Sequence, residues 1–326
     1  ADAPPSGTVA APVASQPVAK SGRTTGLTCS SVLATNTTVI VGYDSSCGGS
    51  TAFDAYFNNQ VIVNGGSFSA GGDSGSLIVT SDTARPVALL YAGNSTSTAG
   101  NPLADVLAAF NNGTAPTIVG GADHAVSCLP TATAQNVVVG SAATASLSAQ
   151  ERARGAAALA GARNMLSHDS AVNDVQLGAS ADNPHEAALL VEVRATPKSP
   201  IPAMLAGVRT RVLYPAGMTA NAPDANAIKR TVSIKQANEN NLFALRGVQG
   251  VGVGRSDDNP AETAIVVFTL QGASHAAIPA TIDGVRTKVV DGDKYRAFGW
   301  NEKAALACSK PKPAATAKPK LKAKLK

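Results

Sequence analysis

Gly71-Gly72-Asp73-Ser74-Gly75-Ser76 places one hydroxyl at the centre of a glycine-rich turn, with an acid immediately before it. Glycines at 71, 72 and 75 let the backbone turn tightly, adopt positive φ and approach another chain without a Cβ in the way. A turn of this kind suits acyl transfer, in which a hydroxyl attacks a carbonyl while two N–H donors meet the developing oxyanion. The hydroxyl is a weak nucleophile unless a base stands beside it. Four histidines are present, His124, His168, His185 and His275, and all lie downstream of Ser74. A surface Gly/Asp/Ser turn with no chemistry has the same composition, so the flanking residues must decide.

Leu77-Ile78-Val79, a β-rich apolar stretch, follows the turn directly. After Asp82 to Pro86 comes Val87-Ala88-Leu89-Leu90-Tyr91 and then Ala92-Gly93-Asn94. Upstream stands Lys20-Ser21-Gly22-Arg23-Thr24-Thr25-Gly26-Leu27-Thr28. Together these resemble the second barrel of bacterial, secreted, trypsin-like (chymotrypsin-clan) serine proteases, over about residues 16 to 112. The resemblance implies that Ser74 is the acyl-forming nucleophile and that the N–H groups of Gly72 and Ser74 form the oxyanion hole. It further implies that Asp73 is buried and shapes the loop, and that the strand ending at Ala92-Gly93-Asn94 offers an edge to the substrate backbone. Phe68 would stand at the pocket floor, or equally fill it as a core residue, with Ala92, Gly93 and Gly100 in the walls. With no acid at that floor, a small or apolar side chain is favoured over Lys or Arg.

In chymotrypsin-like chains the histidine precedes the serine and comes from the first of two β-barrels. Here it would have to come from polypeptide ahead of residue 1, either a cleaved partner fragment or an omitted half. Losing a triad serine or histidine costs on the order of 10⁶ in turnover, so the chain alone is expected to be inactive. His124, in Gly121-Ala122-Asp123-His124, is the downstream histidine closest to the barrel, but a short polar linker surrounds it. His168, His185 and His275 read as solvated loop residues. Asp44 and Asp54 fall in strand and hairpin segments and suit no orienting role.

The chain's 326 residues permit two or three domains, 15% are charged, and the four cysteines suit an oxidising compartment. Cys29 and Cys47 flank a β-rich segment and are expected to pair, leaving Cys128 for Cys308; no pair has zinc-like spacing, and no metal or cofactor is expected. No run approaches the roughly 20 apolar residues of a membrane helix. Asn36, Asn94 and Asn112 open Asn-x-Ser/Thr triplets. The net charge of +5 is a tail property: residues 309–326 hold seven lysines and no acid, which leaves −2 for the rest. That Lys/Pro/Ala tail is expected to be disordered, with at most a weak, salt-sensitive hold on a polyanion or cell surface.

Between barrel and tail lies a duplication. Asp182-Asn183-Pro184, Ile201-Pro202-Ala203 and Gly207-Val208-Arg209-Thr210 recur as Asp258-Asn259-Pro260, Ile278-Pro279-Ala280 and Gly284-Val285-Arg286-Thr287. Each copy reads as a helix followed by three strands. Ser148-x-x-Glu151 and Ser233-x-x-Gln236 suggest capping boxes. The runs Ala188 to Val193 and Ala264 to Phe268 are apolar enough to be central strands. Arg209 and Arg286 read as strand-end charges, and Gly250-Val251-Gly252-Val253-Gly254 lacks the spacing of a dinucleotide fingerprint.

The expected architecture is therefore mixed β and α+β. A flexible segment (1–15) leads into an incomplete trypsin-like antiparallel barrel (16–115), a linker (116–147), α-β-β-β repeats at 148–217 and 226–303, and the disordered tail (309–326). The expected function is a secreted serine endopeptidase acting on peptide or protein substrates once histidine and aspartate are supplied. The rival is an inactive protease-like binding protein working through the repeats and the basic tail.

Overall fold

The computed structural model describes residues 3–43, 53–110, 116–128, 147–197, 199–274 and 277–297. Asp44, Cys47, Asn112, His275, Cys308 and the lysine tail lie outside them. Among the described residues β-strands dominate, with three α-helices.

Strands β1 (Pro17–Gly22), β2 (Gly26–Tyr43), β3 (Phe53–Asn64), β4 (Leu77–Thr80), β5 (Pro86–Gly93) and β6 (Ser97–Pro102) pair antiparallel in the spatial order β1-β4-β5-β6-β3-β2. β1 pairs back onto β2, which closes the ring into a six-stranded barrel. Strand alternation fills it: Val61 and Val63 point inward with Val18, Ile78, Val87 and Leu90. Ile62, between them, turns outward to a second cluster with Val39, Val41, Ala92 and Ala99. A short helix, α1 (Leu103–Ala109), follows β6.

The N-terminal segment is strapped to this barrel rather than free: the N–H groups of Ser6, Ala10 and Ser15 donate to the carbonyls of Ala84, Pro86 and Val32. Residues 116–128 cross the β4–β5 turn, where His124 and Val126 N–H donate to Thr83 and Ser81 carbonyls. That path delivers Cys128 to Cys29, and the two form a disulfide with Cα atoms 5.9 Å apart. The expected Cys29–Cys47 and Cys128–Cys308 pairings are thereby corrected. Nearness in sequence misled, because the chain returns to β2 after 99 residues.

The duplicated segments share one element order. The first runs α2 (Ala149–Leu166), β7 (Val172–Ala179), β8 (Ala187–Val193), β9 (Met204–Leu205), β10 (Val208–Leu213), with sheet order β7-β8-β10-β9. The second runs α3 (Ala225–Phe243), β11 (Val248–Arg255), β12 (Thr263–Leu270), β13 (Thr281–Ile282), β14 (Val285–Gly292), with order β11-β12-β14-β13. β8 and β12 are central, each antiparallel to one neighbour and parallel to the other. Each helix precedes four strands rather than three. The prolines of Ile-Pro-Ala stand ahead of the two-residue strands, and their carbonyls accept hydrogen bonds from Thr210 and Thr287 hydroxyls at 2.5 Å.

Ser148 caps α2 by accepting from Glu151 N–H at 3.1 Å, but the Glu151 carboxylate turns to Ala187 N–H instead of completing a box. The second helix begins earlier than its Ser233 signature suggests. Asp224 caps it, accepting from Ala227 N–H at 2.7 Å, while Ser233 lies inside and donates to the Lys229 carbonyl. A mid-helix serine bonding back four residues mimics a cap in sequence.

The second repeat is continuous with the barrel. β11 pairs antiparallel with the far half of β2, Gly250 opposite Val39 and Val251 opposite Thr38. A Cβ on Gly252 would overlap Thr37, and one on Gly254 would overlap the Leu33 carbonyl. The alternating glycines thus clear one strand face for β2. A last strand, β15 (Tyr295–Ala297), pairs with both β2 and β5.

The two repeats interlock by exchanged contacts. Asp182 accepts from Ser256 hydroxyl and Asp257 N–H, and Asp258 accepts from Ser180 hydroxyl and Ala181 N–H, all at 2.5–2.6 Å. Arg209 donates to the Thr287 carbonyl at 2.9 Å, and Arg286 donates to the Thr210 carbonyl at 2.7 Å. Each guanidinium is 1% exposed and pairs with a glutamate of its own repeat, Glu186 or Glu262, at 2.7 Å. They are therefore not strand-end charges in solvent. Desolvation makes the pairing obligatory, since an unpaired buried guanidinium is strongly disfavoured.

Candidate active site around Ser74

The Ser74 turn is built between β1–β2 and β5. Asp73 N–H donates to Ala70 carbonyl and Ser76 N–H to Asp73 carbonyl, which tightens the turn; Gly75 N–H donates to Leu90 carbonyl at 2.8 Å, and Leu90 N–H returns to Ser76 at 3.0 Å. Gly72 and Gly75 take φ of +101° and +86°, where a side chain would be strained. A Cβ at position 72 would also collide with the Arg23 guanidinium and Thr24 hydroxyl. Ser74 is left exposed. Among the described residues, neither the Gly72 nor the Ser74 N–H has a hydrogen-bond acceptor.

Asp73 holds this turn from behind. It is 1% exposed and accepts from Thr24 N–H at 2.7 Å, Thr25 N–H at 3.3 Å, Thr25 hydroxyl at 2.7 Å and Ala70 N–H at 3.1 Å. Lys20 Nζ stands 3.2 Å from its Oδ2. Burial by itself pushes the carboxyl pKa up. Hydrogen bonds from Thr25, Thr24 and Ala70, and then from Lys20, outweigh it and hold the group well below the usual carboxylate range.

Lys20, Thr24 and Thr25 entered sequence reasoning only as part of the stretch that carries the resemblance, with no role in the site. The available signal was a lysine directly after the apolar Val18-Ala19 pair of a strand, a position that tolerates a cation only with a partner. Its ammonium also donates to the Thr25 hydroxyl and the Gly26 carbonyl, and stands 5.8 Å from the Phe68 ring centroid.

Of the expected pocket residues, Ala92, Gly93 and Gly100 lie on the paired strands β5 and β6. Phe68, 2% exposed, packs inside the barrel with Val18, Val32 and Ile78. Gly100 lies under Ala88 and Ile78, while Ala92 faces the outer cluster. Phe68 therefore fills the core instead of flooring a pocket, as a large apolar ring does when the interior offers it space. Ser74 opens instead onto a cavity of about 930 Å³ lined by Arg23, Leu27, Gly72, Leu77 and the 124–127 segment.

His124 lines that same cavity. It enters from the other end: its N–H is fixed to Thr83, beyond β4, whereas Ser74 precedes β4. The His124 Nδ1 stands 3.1 Å from the Ala122 carbonyl oxygen, and among the described residues no hydrogen bond joins its ring to Ser74. Neighbouring Asp123 is taken by Arg85 at 2.5 Å and by the Ser6 hydroxyl at 2.6 Å. Asp54 pairs with Lys294 at 2.5 Å, and His168 and His185 are exposed in loops of the first repeat. Asn94 is a structural residue: its side-chain oxygen accepts from Thr96 and Ser97, and its amide donates to the Asp293 carbonyl. No helix among the described residues is long and apolar enough to cross a membrane, and no group of three or more His, Cys, Asp or Glu among them could hold a metal.

No family model matches the chain, and no curated protein matches it. Among solved structures it is similar to a glutamic acid specific serine protease that uses a histidine triad in substrate binding, with 25% identity and a TM-score of 0.26. The overlap covers 33% of this chain and 52% of that one, so the chain spans about half the length of the protein it matches.

Proposed function

We propose that Ser74 is the nucleophile of a serine endopeptidase site, with the N–H groups of Gly72 and Ser74 as oxyanion donors. The supporting observation is an exposed hydroxyl beside two amides without acceptors, on a turn locked by the buried Asp73. The hydroxyl attacks a peptide carbonyl, a base takes its proton and returns it to the leaving amine, and water then releases the acyl group. Base and orienting acid come from polypeptide outside the described residues. The Cys29–Cys128 disulfide supports an oxidising, extracytoplasmic setting. The repeats direct Arg209, Arg286, Asp182 and Asp258 at one another, which favours a scaffolding role for them over the rival binding-protein reading.

The test is fluorophosphonate labelling of the folded chain. Label should appear on Ser74 and vanish in Ser74→Ala, and the rate should rise when a histidine-bearing first barrel is added in trans. A folded sample that takes no label with the partner present would refute the assignment.

A further inference from the structure

β5 has two edges, and at its last residues one of them is already used: Ala92 lies opposite Ala99 and Gly93 opposite Thr98 of β6. The other edge is the one on which the Ser74 turn sits, through the exchanged hydrogen bonds of Leu90 with Gly75 and Ser76. β15 therefore takes this second edge, immediately beyond the Ser74 turn. Arg296 stands opposite Gly93 and Ala297 opposite Ala92, antiparallel. Chain direction follows from that register: read from 295 to 297, β15 advances along β5 toward Leu90, and so toward the serine.

An extended peptide bound for acyl transfer at Ser74 needs a sheet edge that ends at the nucleophile, because edge pairing holds a backbone in register without reading its side chains. Only this stretch of β5 meets that requirement among the described residues beside Ser74, and the protein's own chain fills it. The segment is delivered by the second repeat. It follows β14 directly, and its approach is clamped by Asn94 Nδ2 and Gln249 Nε2, both donating to the Asp293 carbonyl, at 2.8 and 3.0 Å. Tyr295 anchors it: the ring is fully buried edge-on to Phe268, and its hydroxyl meets Ser97 at 2.5 Å.

We propose that residues 295–297 are a built-in occupant of the peptide-binding edge, so that the second repeat blocks the Ser74 site in cis and a peptide substrate must displace β15. This rests on the reading of Ser74 as nucleophile, but occupancy is measurable without catalysis. In native-state hydrogen exchange of the full chain, the 295–297 amides should exchange about 100-fold faster than those of Val87–Leu90, as a separable strand opens locally. In a Ser74→Ala background, a fluorescent peptide with the sequence of 293–297 should not bind the otherwise unaltered chain and should bind once Tyr295→Ala frees the edge. Exchange of 295–297 together with Val87–Leu90, or a Tyr295→Ala protein that fails to fold, would make β15 an integral barrel strand and overturn the proposal, as would equal peptide binding to both proteins. Peptide binding as expected, with no fluorophosphonate label on the corresponding two proteins that retain Ser74 and are supplied with the histidine-bearing first barrel, would instead overturn the nucleophile reading and leave the occupancy standing.

Discussion

Lys20 Nζ and Asp73 Oδ2 lie 3.2 Å apart, and neither side chain exposes any surface. Two charges withdrawn from water this completely hold only as a pair, because either one alone keeps its desolvation cost with nothing to offset it. Lys20→Met should therefore lower stability by about 3–5 kcal/mol, and should slow fluorophosphonate labelling by loosening the turn that Asp73 holds. Equilibrium denaturation and labelling of the same sample check both outcomes.

The Asp73 carboxyl also sets an acid limit. Its folded pKa lies below its unfolded value, so its contribution is complete above about pH 4 and is lost as pH falls through the folded pKa. The stability gap between the protein and Asp73→Asn should be widest near neutrality and narrow progressively below about pH 4. A gap that stays constant down to acid unfolding would show that the aspartate's charge contributes nothing.

Asp182 behaves in the opposite sense. Burial, and then the neighbouring Asp258, push its pKa up to about 7. The folded state therefore binds more protons than the unfolded one between the ordinary carboxylate pKa and 7, and stability falls as pH rises through that window. Asp182→Asn removes the charge, keeps one oxygen to accept from Asp257 N–H, and turns its amide to donate to the Ser256 hydroxyl oxygen. Melting measured from pH 4 to 8 should slope downward for the native sequence and less steeply in the variant, where Asp258, itself raised by burial, still contributes.

Arg209 and Arg286 each reach the partner repeat through a threonine that neighbours the other arginine. Arg209→Met and Arg286→Met should each cost about 1–3 kcal/mol by leaving a buried carbonyl without its donor and a partly exposed glutamate without its cation. Because each arginine bonds the threonine next to the other arginine, the double variant should depart from the sum by about 0.5–3 kcal/mol. Additivity in urea unfolding would mean that the repeats do not lock reciprocally.

Local chemistry and periodicity made the Ser74 turn, its acid and the repeated strands legible, since glycine at positive φ and apolar β-runs leave marks on a few adjacent residues. Contacts between distant segments left no such marks. The Cys29–Cys128 bridge spans 99 residues, the Asp73 cradle comes from the hairpin around Thr24, and the Phe68 ring could face core or pocket with the same neighbours in sequence. Arg209 shows the limit most plainly: a strand-end arginine and a buried crossing arginine look alike until the partner strand is in place.

Gly252 gives a direct probe of the junction between repeat and barrel. A Cβ there would overlap the Thr37 hydroxyl and come within 3.1 Å of Thr37 Cβ and 3.2 Å of Ala34 Cβ, so Gly252→Ala should cost about 1–3 kcal/mol through overpacking at the β11–β2 seam. Gly161, within α2, is the internal control, because nothing lies within 4 Å of a Cβ placed on it. Gly161→Ala should stabilise by about 0.5–1 kcal/mol, since alanine is the better helix former and loses less entropy. The same exchange of hydrogen for methyl then changes sign between a packed strand and an open helix. If both substitutions stabilise, β11 does not press on β2 as closely as the pairing of Gly250 with Val39 requires.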